Sequence, residues 1–250
     1  MNPAGHPVAR RRARSGAARA IMASGALVFV ALFLALGIWQ VERRSWKHAL
    51  IAAVESRVHA APVPAPSPAR WASVNATDDA YRRIRVTGRF LHDRATLVRA
   101  TTDLGAGYWV MTPLDTGDAI TLVNRGFVPP EKRDAARSGP AGPTTVTGLL
   151  RMSEPGGGFL RSNDPAADRW YSRDVTAIAQ ARGLQRVAPF FIDAQASPVA
   201  GAYPVGGLTV IRFSDNHLLY ALTWFGMAVL SGWAGWRILR DRERQDEAAT

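Results

Sequence analysis

Ala20-Ile-Met-Ala-Ser-Gly-Ala-Leu-Val-Phe-Val-Ala-Leu-Phe-Leu-Ala-Leu-Gly-Ile-Trp39 contains no charged residue. As a helix rising ~1.5 Å per residue, this run crosses ~30 Å, the thickness of a bilayer's hydrocarbon layer. A second uncharged run, Leu218–Trp236, stands near the other end of the 250 residues. Two such runs argue against a simple soluble enzyme. Ala35-Leu36-Gly37 satisfies the small-x-small pattern of a cleaved signal peptide. The apolar run, however, exceeds the usual core of about 7–15 residues, and it ends in Trp39, an interfacial residue type. An uncleaved anchor is therefore expected.

The charges flanking these runs set an orientation. Arg10, Arg11, Arg12, Arg14 and Arg19 precede the first run; Arg237, Arg240, Arg242 and Arg244 follow the second. Basic residues stay on the cytoplasmic side, and long loops cross largely regardless of charge. Both termini are expected in the cytoplasm and the middle outside it. The net charge of +11 thus reads as orientation. It forms no recognisable nucleic-acid module, so no nucleic-acid partner is expected.

Beyond Trp39 the helical spacing continues. Trp39, Arg43, Trp46 and Leu50 share one face, and the helix is expected to run to about Val58. Ala-Pro-Val-Pro-Ala-Pro-Ser-Pro at 61–68 then forbids helix and favours an extended spacer. After it the period falls to two. Arg83–Phe90, Tyr108–Pro113, Ile120–Asn124, Thr144–Leu150, Pro189–Asp193 and Leu208–Phe213 read as short strands between turn signals. Val-Thr-Gly occurs at Val86–Gly88 and again at Val146–Gly148, and glycine in a strand marks a bulge or a barrel corner. One helix fits at Val175–Arg182, stopped by Gly183.

The fold class expected is a membrane protein with two transmembrane helices flanking an exported, mostly antiparallel β (α+β) domain, a sheet able to close into a small barrel. The divisions are a basic cytoplasmic start 1–19, a first span 20–40, a helix extension and proline-rich linker 41–68, and an exported β-rich domain 69–216. A second span 217–238 and a cytoplasmic tail 239–250 complete the chain.

The chemistry is sparse. Zero cysteine excludes disulfides, thiolate metal sites and a cysteine nucleophile. No nucleophile elbow, Walker loop or HExxH helix is present, so no enzyme activity is expected. Gly156-Gly157-Gly158 reads as a flexible loop, and Asp78-Asp79 as a solvated turn. No two of the five histidines share metal-ligand spacing on a helix face, and His48 falls in the exposed helix extension. His217 stands at the mouth of the second run, with Tyr220 and Trp224 at i+3 and i+7. Its imidazole can ligate iron, or it can simply hydrogen-bond headgroups or cap the helix. In Leu122–Pro129, Asn124 and Gly126 suit a tight turn that projects Arg125. That guanidinium can clamp a carboxylate or just pair with a nearby Asp.

The order of motifs resembles the Surf1 (Shy1) family of cytochrome c oxidase assembly proteins. The resemblance is carried by Leu36-Gly37-Ile38-Trp39-Gln40 with Arg43, Trp46 and Lys47, then Val86–Phe90, Gly107–Leu114, Val123–Pro129 and Gly148–Arg151. Trp170-Tyr171, Pro189–Asp193 and Asn216–Trp224 follow. It implies an assembly factor of the cell inner (plasma) membrane that supports maturation of the oxidase catalytic subunit. It also implies haem a as transient cargo, with the haem a synthase as a further partner beside the catalytic subunit and membrane lipid. On that reading His217 is the iron ligand, Tyr220, Trp224 and Trp39 flank the ring, and Arg43 or Arg125 meets the propionates. The alternative is a scaffold chaperone that holds the partly built subunit and binds no haem.

Overall fold

The computed structural model describes residues 7–197, 199, 201–209 and 216–247. The first residues of the basic start and the last of the tail lie outside this set. The chain divides into two compact units: Ala52–Ile211, and Met1–Ile51 with Arg212–Thr250.

The second of these is a helix pair. Helix α1 spans Pro7–His59, about 80 Å at the usual rise, so it continues well past Trp39. Its last residues, from Ala52, group with the sheet unit. There Val54 is buried, and Arg57 Nη1 donates to the Ala80 carbonyl at 3.4 Å.

Strand β1, Val63–Pro64, pairs parallel with β2. The alternate prolines do enforce an extended chain, but it is laid against the sheet: Ala65 N–H donates to the Arg85 carbonyl. A 3-10 turn at Pro68–Ser73 and the short α2, Ala76–Asp79, lead into β2, Arg83–Phe90. Of the Asp78-Asp79 pair only Asp78 is exposed; Asp79 is buried in the start of the sheet unit. Asn75 Oδ1 caps α2 by accepting from Asp78 N–H, while buried Asp79 accepts from Asn75 N–H and from Arg82 Nη1 at 2.8 Å. Burial pushes the Asp79 carboxyl up, but these donors outweigh it and hold its pKa below 3.8.

The remaining strands are β3 Thr96–Thr102, β4 Gly105–Asp115, β5 Ile120–Val128, β6 Thr144–Met152 and β7 Val187–Ala194. A 3-10 segment, Pro130–Arg137, follows β5. Helix α3, Val175–Ala181, precedes β7 and ends before Gly183, whose φ of 61° only glycine adopts cheaply. The expected strand over Leu208–Phe213 is not formed at residues 208–209, and the rest of it lies outside the described residues.

Five strands close on themselves. β2 pairs with β6, β6 with β7, β7 with β5, β5 with β4, and β4 returns to β2 through Arg89↔Asp115 and Phe90↔Leu114. All but the β5–β7 contact of this ring are antiparallel. This is the Greek-key order of an OB-type barrel. β3 extends it as a hairpin partner of β4.

The two Val-Thr-Gly triplets lie on the paired strands β2 and β6 and meet at their valines: Val86 opposes Val146, while Gly88 opposes Thr144 and Gly148 opposes Ile84. Next to the valines, the Thr87 and Thr145 hydroxyls meet at 2.8 Å. Each glycine sits where backbones crowd. A Cβ on Gly88 would fall 2.4 Å from the Asp115 carbonyl oxygen, and one on Gly148 would fall 2.2 Å from that of Asp193. They are the corners at which the barrel closes.

One buried cluster joins Ile84, Phe90, Leu114, Val123, Val146, Leu150, Phe190 and Ile192. A second joins Val98, Met111, Leu122, Trp170 and Phe191 to Val175 and Ile178 of α3. Side chains as fully buried as Phe191 and Ile178 each contribute about 1.5–3 kcal/mol, which is what holds α3 to the barrel.

Candidate functional site

Helix α4 spans His217–Glu247. α1 and its partner α4 meet along two seams of shielded residues. On α1 the shielded set includes 23, 26, 30, 33, 37, 40 and 44, flanked by 25, 36 and 47; on α4 it includes 217, 221, 224, 228, 231, 235 and 238, flanked by 225. Alternating steps of three and four make a 3.5-residue repeat, the period of left-handed helix packing. The helices run antiparallel, with Gly235 at Ala26, Phe225 against Gly37, and His217 at Gln40. Small residues allow the close approach: Ala23, Ala221 and Ala228 are buried, and a Cβ on Gly37 would lie 2.4 Å from the Phe225 ring. Phe33 stacks on Trp224 at 5.7 Å and on Phe29 at 5.8 Å.

His217 opens α4 at the end of this seam. Its Nδ1 lies 2.8 Å from Gln40 Oε1. An amide oxygen only accepts, so Nδ1 carries the proton and donates. In the neutral ring Nε2 is then the lone-pair nitrogen, the tautomer a metal-ligating histidine needs. A cleft of about 270 Å³ opens here, lined by Val41, Arg44, Ser45, His48, His217, Leu218 and Ala221.

The structure sorts the expected site residues. Trp224 faces α1 in the seam. Tyr220 and Trp39 are each 54% exposed and do not line the cleft. Arg43 lies 4.2 Å over the Trp46 ring, also outside it. Arg125 belongs to the barrel unit. It stands within β5, at a bulge and not at a hairpin turn: pairing with β4 shifts register between Asn124 and Phe127, Gly126 takes a φ of 128°, and buried Asn124 donates to Asp193 at 2.8 Å. Its guanidinium donates to the carbonyls of Ala136 and Ser138 at 3.2 and 2.6 Å and meets His92 Nδ1 at 3.2 Å. It thereby ties β5 to the 3-10 segment. Burial pulls the Arg125 pKa down to about 10, which still leaves it charged at neutral pH.

Sequence reasoning missed Gln40, Arg44 and His48. Their signal was the i, i+4, i+8 spacing, one residue out of step with the aromatic face of Trp39 and Arg43. Among the described residues no three His, Asp or Glu side chains converge as a metal site. Iron in a porphyrin asks the protein for only one or two axial ligands, so one imidazole can serve.

The barrel has its own polar cluster. Asp193 accepts from Asn124, from Arg151 Nη1 at 2.8 Å, from Arg173 Nη1 at 3.1 Å and from Thr209 at 3.1 Å. Arg173 also binds Glu154. Burial pulls the Arg173 pKa down, but Glu154 and Asp193 outweigh it and raise it. Each of these charges has its counterpart, so the cluster joins β6 and β7 to the segment before α3. Gly156–Gly158 is likewise held: Gly157 N–H donates to Ser172 Oγ, and Gly158 pairs with Arg161.

These features define a class: two apolar helices, each long and apolar enough to cross a membrane, flanking a closed five-stranded barrel. The family model "SURF1 family" matches residues 27–229. The chain is 34% identical to Surfeit locus protein 1 of Mus musculus over 229 residues, 83% of this chain and 72% of the mouse protein. It is 33% identical to the Homo sapiens protein of the same name, over 79% of this chain and 71% of the human one. A SURF1-like protein of Monosiga brevicollis is 37% identical, with 82% of each chain covered. The chain belongs to the SURF1 family.

Proposed function

We propose that this protein is a membrane-anchored assembly factor for cytochrome c oxidase that supports haem a insertion into the catalytic subunit. Family membership supports the class of role. The observation that carries the haem step is His217 donating from Nδ1 to Gln40 beside a cleft that also holds Arg44 and His48. Haem a is the cargo of this reading. On this reading His217 would hold the iron, and His48 and Arg44, which line the same cleft, would be the groups to test as a further ligand and a propionate partner. The cleft is smaller than the ~300–1,000 Å³ of enclosing ligand pockets. It would enclose only part of a macrocycle, which suits transfer. The role is binding and presentation, not catalysis.

The reading places the protein in the inner (plasma) membrane, with α1 and α4 as its spans and the barrel outside the cytoplasm. Exposed Leu27, Val28, Phe29, Leu222, Val229 and Leu230 support lipid contact. So do the stacked pairs Arg237–Trp233 and Arg240–Trp236 at the far end of α4.

The test is a reduced-minus-oxidised spectrum of detergent-purified protein co-expressed with a haem a synthase, run beside His217→Ala. A haem a band lost in the variant supports the carrier and places His217 at the iron. A band that survives keeps the carrier and moves the ligand. No band in folded, haem-supplied wild type sinks the haem step and leaves the scaffold chaperone, with the catalytic subunit still held.

A further inference from the structure

Arginines in the barrel unit fall into two kinds. Arg82, Arg151, Arg169, Arg173 and Arg182 each bind a carboxylate. Arg99, Arg133, Arg137 and Arg161 do not: among the described residues no Asp or Glu lies within ion-pair distance of them, and all four are exposed. These four gather at one place. Arg99, Arg133 and Arg137 line a cleft of about 310 Å³ with Leu97 and Tyr108. Arg99, Arg161 and Tyr171 line a second cleft of about 290 Å³. The two share Arg99 and Tyr108, so they adjoin beside β3 and β4 and together make one basic trough of neighbouring clefts.

The guanidinium groups are held in place by rings. Arg133 lies 4.4 Å over Tyr108, and Arg99 and Arg161 each lie 5.5 Å from the centre of Tyr171. Stacking fixes the plane of a guanidinium and leaves its N–H edges for an acceptor. Asp168, which lines the first cleft, already accepts from Arg182 and from the Trp170 indole, and Asp164 binds Arg169; Glu131 and Asp134 of the 3-10 segment are exposed and form no ion pair with the four. Counted with Arg169 and Arg182, the arginines outnumber these acids, and a bound anion relieves the repulsion among them.

A second feature selects the kind of anion. The hairpin whose base pairs Gly158 with Arg161 lifts Phe159 and Leu160 into solvent, 92% and 88% exposed. A free phosphate gains nothing from apolar side chains, whereas a polypeptide can cover them while its acids meet the arginines. A trough also suits a chain better than a flat lipid surface.

We infer that this trough docks an acidic segment of a partner protein, with Arg99, Arg133, Arg137 and Arg161 binding its carboxylates and Phe159 and Leu160 covered by its apolar residues. The inference is independent of the haem reading.

The experiment uses the full chain in neutral phosphatidylcholine nanodiscs, titrated into fluorescein-labelled hexaglutamate and read by anisotropy. Arg99→Gln/Arg133→Gln is compared with Arg85→Gln/Arg186→Gln, a pair of exposed arginines outside the trough. The expected result is a loss of about tenfold or more in the first pair, as for charge-assisted bidentate contacts, and under about twofold in the second. Arg99→Lys/Arg133→Lys, which keeps the charge but not the fork, falls between them. Equal losses in the two glutamine pairs, or no binding by wild type, overturn the inference. Displacement by micromolar pyrophosphate makes the trough a phosphate site and overturns it as well. So does lipid burial of a label at Leu160→Cys in anionic nanodiscs, a clean readout because the chain has no cysteine.

Discussion

A single amide decides how His217 presents itself. Gln40 accepts from Nδ1, and second-shell partners of this kind are worth about 10–100-fold in metal affinity. Gln40→Leu is expected to weaken haem a retention by about that factor while helix content is kept; haem titration beside circular dichroism checks it. If Gln40→Leu binds like wild type, the amide has no part in orienting the ring. The acid limb of stability belongs to this scale too. Asp79 has a folded pKa below 3.8, so its contribution is present above that value and lost as pH falls through the lower folded one. Asp79→Asn is expected to lower the thermal midpoint at pH 7. The gap to wild type should then close below pH 3.8; a gap constant with pH would show that the ionised carboxylate does not matter. His217 was legible as a candidate, because histidine at the head of an apolar run stands out; the cleft beside it was not. The sequence shows aromatic side chains most loudly, yet helices pack closest on small ones. Ala221 therefore lies in the seam while Tyr220 and Trp39 are exposed, and Arg44, not Arg43, lines the cleft with His217.

Alternation of residue type made most strands readable, even β5, which is covered on both faces. β2, β4, β5, β6 and β7 each contain a strand expected from alternation, and α3 ends at the glycine that marks its stop. β3 escaped because residue types blur its two faces: Val98 enters the cluster with Trp170 from a face that also carries Thr96 and Thr102, while Leu97 packs beside Val110 and Ala136 from the face of exposed Arg99 and Thr101. The proline-rich stretch misled in the other direction, since an extended chain reads alike whether it is free or laid beside β2. Closure itself was foreshadowed by the repeated Val-Thr-Gly, and it can be tested there. Gly148→Ala sets a methyl 2.2 Å from a backbone oxygen that cannot step aside. A loss of about 1–3 kcal/mol is expected, as for other overpacked sites, read as a lower thermal midpoint. Gly25→Ala, with nothing within 4 Å of the new methyl, is the control and should be neutral or slightly stabilising through helix propensity. If both variants melt alike, crowding at Gly148 is not what limits the barrel.

At the scale of the molecule, two units of different chemistry share one chain, and the proposed topology predicts how they divide across a bilayer. Lysine is nearly absent, with Lys47 and Lys132 the only two, so on that proposal arginine would set the orientation. Arg43, Arg44 and Lys47 lie just beyond the first apolar run and oppose the rule; the proposal has a long loop override them, because charge bias acts mainly through short loops. The absence of cysteine makes the division directly measurable. Single cysteines at Ala17→Cys, Asp118→Cys and Ala249→Cys report the start of α1, an exposed turn of the barrel and the tail. In intact cells a membrane-impermeant maleimide is expected to label only the cysteine at 118, and to label all three once the membrane is opened. Labelling at both 17 and 249, and not at 118, before permeabilisation would invert the topology and put the His217 cleft at the cytoplasmic face. Labelling at 249 but not at 17 would remove one span. With the expected pattern, the Gln40–His217 end of the helix pair and the arginine trough of the barrel both belong to the compartment outside the cytoplasm. A partner that meets one can then meet the other without crossing the membrane.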